Sequence, residues 1–217
     1  MEAKRPGAKD KAALEVWNAT THGIGVALGV VFLVLLIVRT LHQQDATALV
    51  AYCVYGACFI LMFLMSTLYH GIQHKKAKAI LRIFDHISIY LFIAGSFTPP
   101  ILLLTQGWKR IVFLVVMWAL AASGALFKVA IKNKMDKHMG LSPLLYILMG
   151  WMAVFMLGPV IRHRYWQFGV LLLLGGLLYT LGTLFYQSKK LRYNHVIWHL
   201  FVLSAAVVHF GSFYVYL

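Results

Sequence analysis

The stretch YNHVIWHLFVLSAAVVHFGSFYVYL, residues 193–217, runs without an aspartate, glutamate, lysine or arginine from end to end. A hydrocarbon core roughly 30 Å thick is crossed by about 20 consecutive apolar residues in an α-helix, so this stretch reads as a membrane span. Six runs of the same kind precede it: Val16–Val38, Ala46–Tyr69, Ile83–Leu104, Ile111–Ile131, Leu141–Ile161 and Tyr165–Gln187. The expected fold is all-α: a polytopic membrane protein forming one seven-transmembrane-helix bundle over residues 15–217, behind a basic N-terminal segment, residues 1–14. The fourth run is interrupted near its end by Lys128 and Lys132, whose long stems can snorkel to the interface.

Composition excludes the main alternatives. The 217 residues are 61% hydrophobic and 12% charged, against about 25% charged in a typical soluble domain. Mean hydropathy is +0.78. The net charge of +14 does not point to nucleic acid, because the basic residues sit in short gaps between apolar runs rather than on a soluble basic face. That placement is a topology signal, and it attracts anionic lipid headgroups. Cys53 and Cys58 lie inside one apolar run, in neither a Cys-x-x-Cys motif nor a disulfide framework, and read as packing residues. The first run is too long for a signal-peptide core and lacks a small-residue cleavage site, so an uncleaved first span is expected.

Cytoplasmic loops carry the lysine and arginine excess. One side holds Lys4, Arg5, Lys9, Lys11, Lys75, Lys76, Lys78, Arg82, Lys128, Lys132, Lys134, Lys137, Lys189, Lys190 and Arg192; the other holds Arg39, Lys109, Arg110, Arg162 and Arg164. Fifteen against five places the N-terminus in the cytoplasm and the C-terminus outside. Trp17, Trp108, Trp166, Tyr214 and Tyr216 fit aromatic belts, and Gly25 and Gly29, four apart, suit close helix packing.

Ionisable groups within a bilayer are costly and mark functional candidates. With this topology His70 closes the second span, Asp85 opens the third, and His195 and His199 open the seventh, all at the cytoplasmic side. His195 and His199 are four apart on one helical face and can present two imidazoles to one ion; Ser66 and His70 share that spacing. Zinc takes nitrogen, sulfur and carboxylate ligands, and catalytic sites commonly offer three protein ligands and one open position. His70, His195 and His199 would supply three. Asp85 is either a fourth ligand or, the reading favoured here, a general base on the water at the ion. Ser66, one turn deeper, is placed to hold that water or a developing oxyanion. A proton relay would use similar residues.

Other polar groups in the spans fall around this set. Glu15, Asn18 and His22, at i, i+3 and i+7, form a stripe on the first span, either as helix-bonding groups or as a second layer aiming the ligands. His86 points about 100° around the helix from Asp85 and reads as a neighbour or as a member of the layer behind the ligands. His209 lies about 15 Å along the helix from His199 and is not expected to ligate. Ser96, Thr98, Pro99 and Pro100 predict a kink in the third span.

These residues resemble the progestin and adipoQ receptor family, in particular its bacterial haemolysin III branch. The resemblance covers all seven spans and is carried by Glu15 and Asn18 with Thr21-His22-Gly23, Ser66 with Tyr69-His70, Asp85-His86, Gly95-Ser96-Phe97-Thr98-Pro99, and His195 with His199. It implies a seven-helix fold with a cytoplasmic N-terminus, and a zinc ion near the inner face held by the counterparts of His70, His195 and His199. Asp85 would contact the zinc-bound water. In the broader superfamily, which includes alkaline ceramidases, such a site hydrolyses lipid amides. The chain departs from the eukaryotic receptors in its very short loops and in having no long N-terminal domain, so hormone recognition is not expected.

The functional expectation is a zinc-dependent hydrolase of a lipid amide or ester in the bacterial cytoplasmic membrane, serving membrane lipid homeostasis, with membrane lipids as partners and a lipid-like substrate entering from the bilayer. A sensor or receptor-like regulator of membrane state with structural zinc is the alternative. A third is a haemolysin III-type pore-forming cytolysin, against which uncleaved spans and fifteen inner positive charges argue. A proton-coupled transporter ranks last, as no paired carboxylates lie mid-span.

Overall fold

The computed structural model describes residues 8–138, 140–162, 165–188 and 191–217, with every side chain among them except those of residues 8, 9 and 136–138. Lys4, Arg5, Arg164, Lys189 and Lys190 of the charge count lie outside these residues. Among the described residues eight α-helices follow in order: α1 (Ala8–Gln43), α2 (Ala46–Gly71), α3 (Lys75–Leu104), α4 (Gly107–Ala130), α5 (Leu141–Trp151), α6 (Leu157–Arg162), α7 (Trp166–Gln187) and α8 (Asn194–Tyr216). Tight 3₁₀ turns cover Lys132–His138 and Met152–Met156. With α5 and α6 counted as one span, seven helical units of 22 to 34 residues are long and apolar enough to cross a membrane. The protein is an integral, multi-pass membrane protein of the expected all-α class.

Helix boundaries follow local chemistry. Asp45 caps α2 by accepting from the amide of Ala48 at 2.9 Å, and His74 caps α3 by accepting from that of Ala77. The α3–α4 turn ends on Gly107, whose φ of +59° is a left-handed conformation that glycine adopts without a Cβ penalty. α1 is already helical at Ala8, inside the basic segment, and α3 begins at Lys75, well before the apolar run at Ile83. α3 stays helical through Pro99 and Pro100, while the Ser96 and Thr98 hydroxyls donate back to the carbonyls of Phe92 and Ala94.

The fifth span departs from the single helix expected. Pro159 has no amide proton to give to the carbonyl of Phe155, and its ring crowds that carbonyl. The chain answers by tightening to 3₁₀ over Met152–Met156 and restarting at Leu157. Pro159 then lies in the first turn of α6, where no donor is required.

The helices close into a ring. α1 packs on α2 and α8, α2 on α3, α3 on α4, and α7 on α8, while α5 bridges from α3 to α7. Aromatic side chains fill the interior: Tyr55, Phe59, Phe63 and Phe92 touch ring to ring, Phe213 meets Tyr55 edge-on, and Phe32 stacks on Phe210 with centroids 3.6 Å apart. Outward faces carry Val30, Val31 and Val34 on α1 and Ile111 and Val115 on α4, all exposed as lipid contact requires.

Gly25 and Gly29 make the α1–α2 seam possible. A Cβ at Gly25 would overlap the Phe63 ring, and one at Gly29 would come within 2.6 Å of Phe59. Each glycine is the socket for a phenylalanine of α2. Gly25→Leu or Gly29→Leu is expected to lower the thermal unfolding midpoint in detergent by the equivalent of about 1–3 kcal/mol. Gly176→Ala, at a position with no atom within 4 Å of its Cβ, serves as the control and should leave the midpoint unchanged. Equal midpoints for all three would contradict this packing.

Candidate metal centre

At the end of the bundle where α1, α3 and α8 begin and α2 ends, His70, His195 and His199 converge. One nitrogen from each lies within 4.8 Å of those of the other two, so the group could hold a metal ion. The ring centroids are 5.0 Å apart for His70 and His195, 5.1 Å for His70 and His199, and 4.5 Å for His195 and His199. The four-residue spacing on α8 thus meets a ligand from a helix far away in sequence.

The polar surroundings fix which nitrogen of His70 and of His199 is available. Glu15 Oε2 lies 2.8 Å from His70 Nδ1, and a carboxylate at that distance accepts, so Nδ1 carries the proton. The lone pair of the neutral ring is then on Nε2, which is buried and has no hydrogen-bond partner. Lys78 Nζ stands 3.1 Å from the same Glu15 oxygen and 5.0 Å from the centroid of the Tyr69 ring, holding the carboxylate in turn. At His199, Nδ1 faces the Asn18 carbonyl at 3.2 Å and the Thr21 hydroxyl at 3.3 Å. A carbonyl only accepts, so here too Nδ1 donates and Nε2 is left with its lone pair. An imidazole held by an acceptor on one nitrogen, with the other left free as in His70, is the arrangement that aims a metal ligand. The donor set therefore fits a zinc-type ion.

The stripe on α1 works differently at each position. Glu15 bonds a ligand directly. Asn18 does so through its backbone carbonyl, while its buried side-chain oxygen has no partner. His22 makes no bond with either nitrogen; its ring stacks on His199 with centroids 3.5 Å apart and an interplanar angle of 16°, backed edge-on by Phe63. Thr21 was not singled out as a site residue from spacing. Its position three residues after Asn18, on the same face, is the signal that could have found it.

Asp85 and Ser66 lie beside the triad but outside the group of converging nitrogens. They line, with His195 and His199, a cavity of about 340 Å³ whose walls include Ile89, Phe92 and Val202. Ser66 is a hydrogen-bonding neighbour of the Asp85 carboxylate, and His70 acts on it through space. His86 lines the same cavity. Its Nδ1 is buried without a partner, and its backbone carbonyl accepts from the Tyr146 hydroxyl at 3.0 Å. His209 sits deeper, with Nε2 3.2 Å from the Leu172 carbonyl and its ring seated against Gly175, away from the triad.

Lys128 overturns one expectation. It does not snorkel outward: it is 2% exposed, its ammonium donates to the Ser142 hydroxyl, and it lines the cavity. α5 folds over the end of α4 and covers it, which a run of apolar residues could not disclose.

Comparison with known proteins places this architecture. Residues 11–210 match the family described as "Haemolysin-III related". The chain is 40% identical to "Hemolysin-3" of Bacillus cereus, over 90% of this chain and 88% of that protein. It is also 40% identical to the "Hemolysin-3 homolog" of Bacillus subtilis (strain 168), over 90% and 91%. It is 29% identical to the human "Monocyte to macrophage differentiation factor", over 76% of this chain and 69% of that one. These matches bear out the resemblance to the progestin and adipoQ receptor family and its haemolysin III branch.

Glu15→Gln would replace a charged acceptor at His70 Nδ1 by a neutral one. Competitive chelator titration of zinc is expected to show affinity reduced about 10–100-fold with the unfolding midpoint little changed. Unchanged affinity would show that Glu15 does not orient His70.

Proposed function

The chain belongs to the Haemolysin-III related family, and we propose that it is a zinc-dependent hydrolase of a lipid amide or ester in the bacterial cytoplasmic membrane, with its basic end in the cytoplasm. The reading is supported by a group of three imidazoles beside a cavity. One nitrogen each of His70, His195 and His199 lies within 4.8 Å of the other two, and the Asp85 carboxylate lines the same cavity as His195 and His199 without joining the group. A purely structural centre would be closed by a fourth protein ligand.

Zinc, when bound, supplies a Lewis acid that makes hydroxide available near neutral pH. The chain's own groups do the rest. His70, His195 and His199 would hold the ion, with Nδ1 of His70 fixed by Glu15 and Nδ1 of His199 by the Asn18 carbonyl beside Thr21. Asp85 accepts a proton from the attacking water and passes it to the leaving nitrogen or oxygen as the bond to the carbonyl carbon breaks. Ser66 steadies Asp85 or the developing oxyanion. The apolar walls of the cavity accept an acyl chain and keep bulk water out.

Elemental analysis and lipid turnover on the purified protein separate these roles. Wild type is expected to carry about one zinc per chain by this ligand count. His195→Ala should lose it, and Asp85→Ala should keep most of it while losing hydrolysis, by about 100-fold or more for a missing general base. Equal zinc in all three would refute the ligand assignment. Full zinc in a wild type that cleaves no lipid in a broad mass-spectrometric screen would refute turnover, and favour a regulator of membrane state.

A further inference from the structure

The cavity holds a cation that the hydrolytic chemistry does not use. Lys128 closes α4, and facing it on α5 are Ser142 and Tyr146, one helical turn apart. Its ammonium donates to the Ser142 hydroxyl and stands 5.9 Å from the centroid of the Tyr146 ring. An ammonium has three donors and no acceptor, so a neutral hydroxyl satisfies it only in part. Asp85 acts on it through space, with no salt bridge between the two among the described residues, and Arg82, a second cation, lines the same cavity. Burying a charge at this depth is costly without a counter-charge.

Both Lys128 and Ser142 line the same cavity as Asp85, His195 and His199. The cavity is thus apolar along its walls, with a metal-binding group at one place and a fixed positive charge at another. A neutral acyl chain would leave that charge unanswered. An amphiphile with an oxygen-rich anionic head would answer it with a charge-assisted hydrogen bond.

We propose that Lys128 and Ser142 form an anion-recognition subsite that takes the oxyanion headgroup of a lipid whose chain lies along the cavity walls. This deepens the reading of a lipid occupant and rests on it, but needs neither the metal nor turnover. The oxyanion is the carboxylate of a fatty acid or the phosphate of a phospholipid, and the two are told apart by experiment.

The purified full chain is titrated, with native mass spectrometry as readout, against three lipids sharing an oleoyl chain: oleate, 1-oleoyl lysophosphatidate and neutral 1-oleoylglycerol. An anionic lipid is expected to bind wild type at least about tenfold more tightly than the neutral one, the equivalent of one charge-assisted hydrogen bond. Lysophosphatidate ahead of oleate identifies a phosphate headgroup, and the reverse order a carboxylate. Lys128→Met should abolish the preference, Lys128→Arg should keep it, and Ser142→Ala should weaken it. Zinc content and unfolding midpoint verify that each variant is folded.

Equal binding of the three lipids by wild type overturns the proposal whatever the variants do. So does a folded Lys128→Met that keeps the preference. A preference that persists in a protein without lipid turnover supports this subsite and counts against the hydrolase reading alone.

Discussion

The position of α1 between α2 and α8 is the constraint on which the centre depends. His70 is separated from His195 and His199 by most of the chain, and the fold brings them together by packing α1 against both helices. The same helix then reaches each side: Glu15 accepts a hydrogen bond from Nδ1 of His70, and the Asn18 carbonyl accepts one from Nδ1 of His199 beside the Thr21 hydroxyl. Arg192, just before α8, pairs with Asp10 on α1 at 2.6 Å, tying the helix starts together at the surface. Gly25 and Gly29 let α1 approach α2 closely enough for this to happen. Packing and ligand orientation are thus one piece of geometry.

A bilayer interior gives polar groups no water, so each must find a partner within the protein or be retained for a purpose. Around the triad most of them do find one: Thr21, Ser88, Ser96 and Thr98 donate to carbonyls of their own helices. Near the triad, His70 Nε2, both nitrogens of His22 and Nδ1 of His86 are buried without partners, while the unmet hydroxyls of Tyr52, Tyr55 and Tyr90 lie elsewhere in the bundle. Together with the buried Lys128 ammonium, His22 and His86 make the cavity a polar pocket set in an apolar bundle.

The spans were legible because a hydrocarbon core imposes a length and a composition on any helix that crosses it. The triad was legible because of a four-residue spacing on α8 and a matching depth for His70 once the spans alternate. What was not legible depended on contacts between helices. Asn18 serves through its backbone, which no side-chain pattern reports. The 3₁₀ break in the fifth span reflects how Pro159 is accommodated. Lys128 reads as an interfacial lysine until α5 is seen to cover it. Spacing along one helix fixes which residues share a face, but not what another helix lays against them.

His70, His195 and His199 form a group that could hold a metal ion, and the proposed function requires that ion to be zinc bound by three imidazoles and no thiolate. X-ray absorption at the zinc edge of the purified chain tests it most directly. The expected first shell is nitrogen and oxygen at about 2.0–2.1 Å, with the outer-shell scattering of three imidazoles and no sulfur at about 2.3 Å. Sulfur in the first shell, or fewer than three imidazoles around the ion, would contradict it.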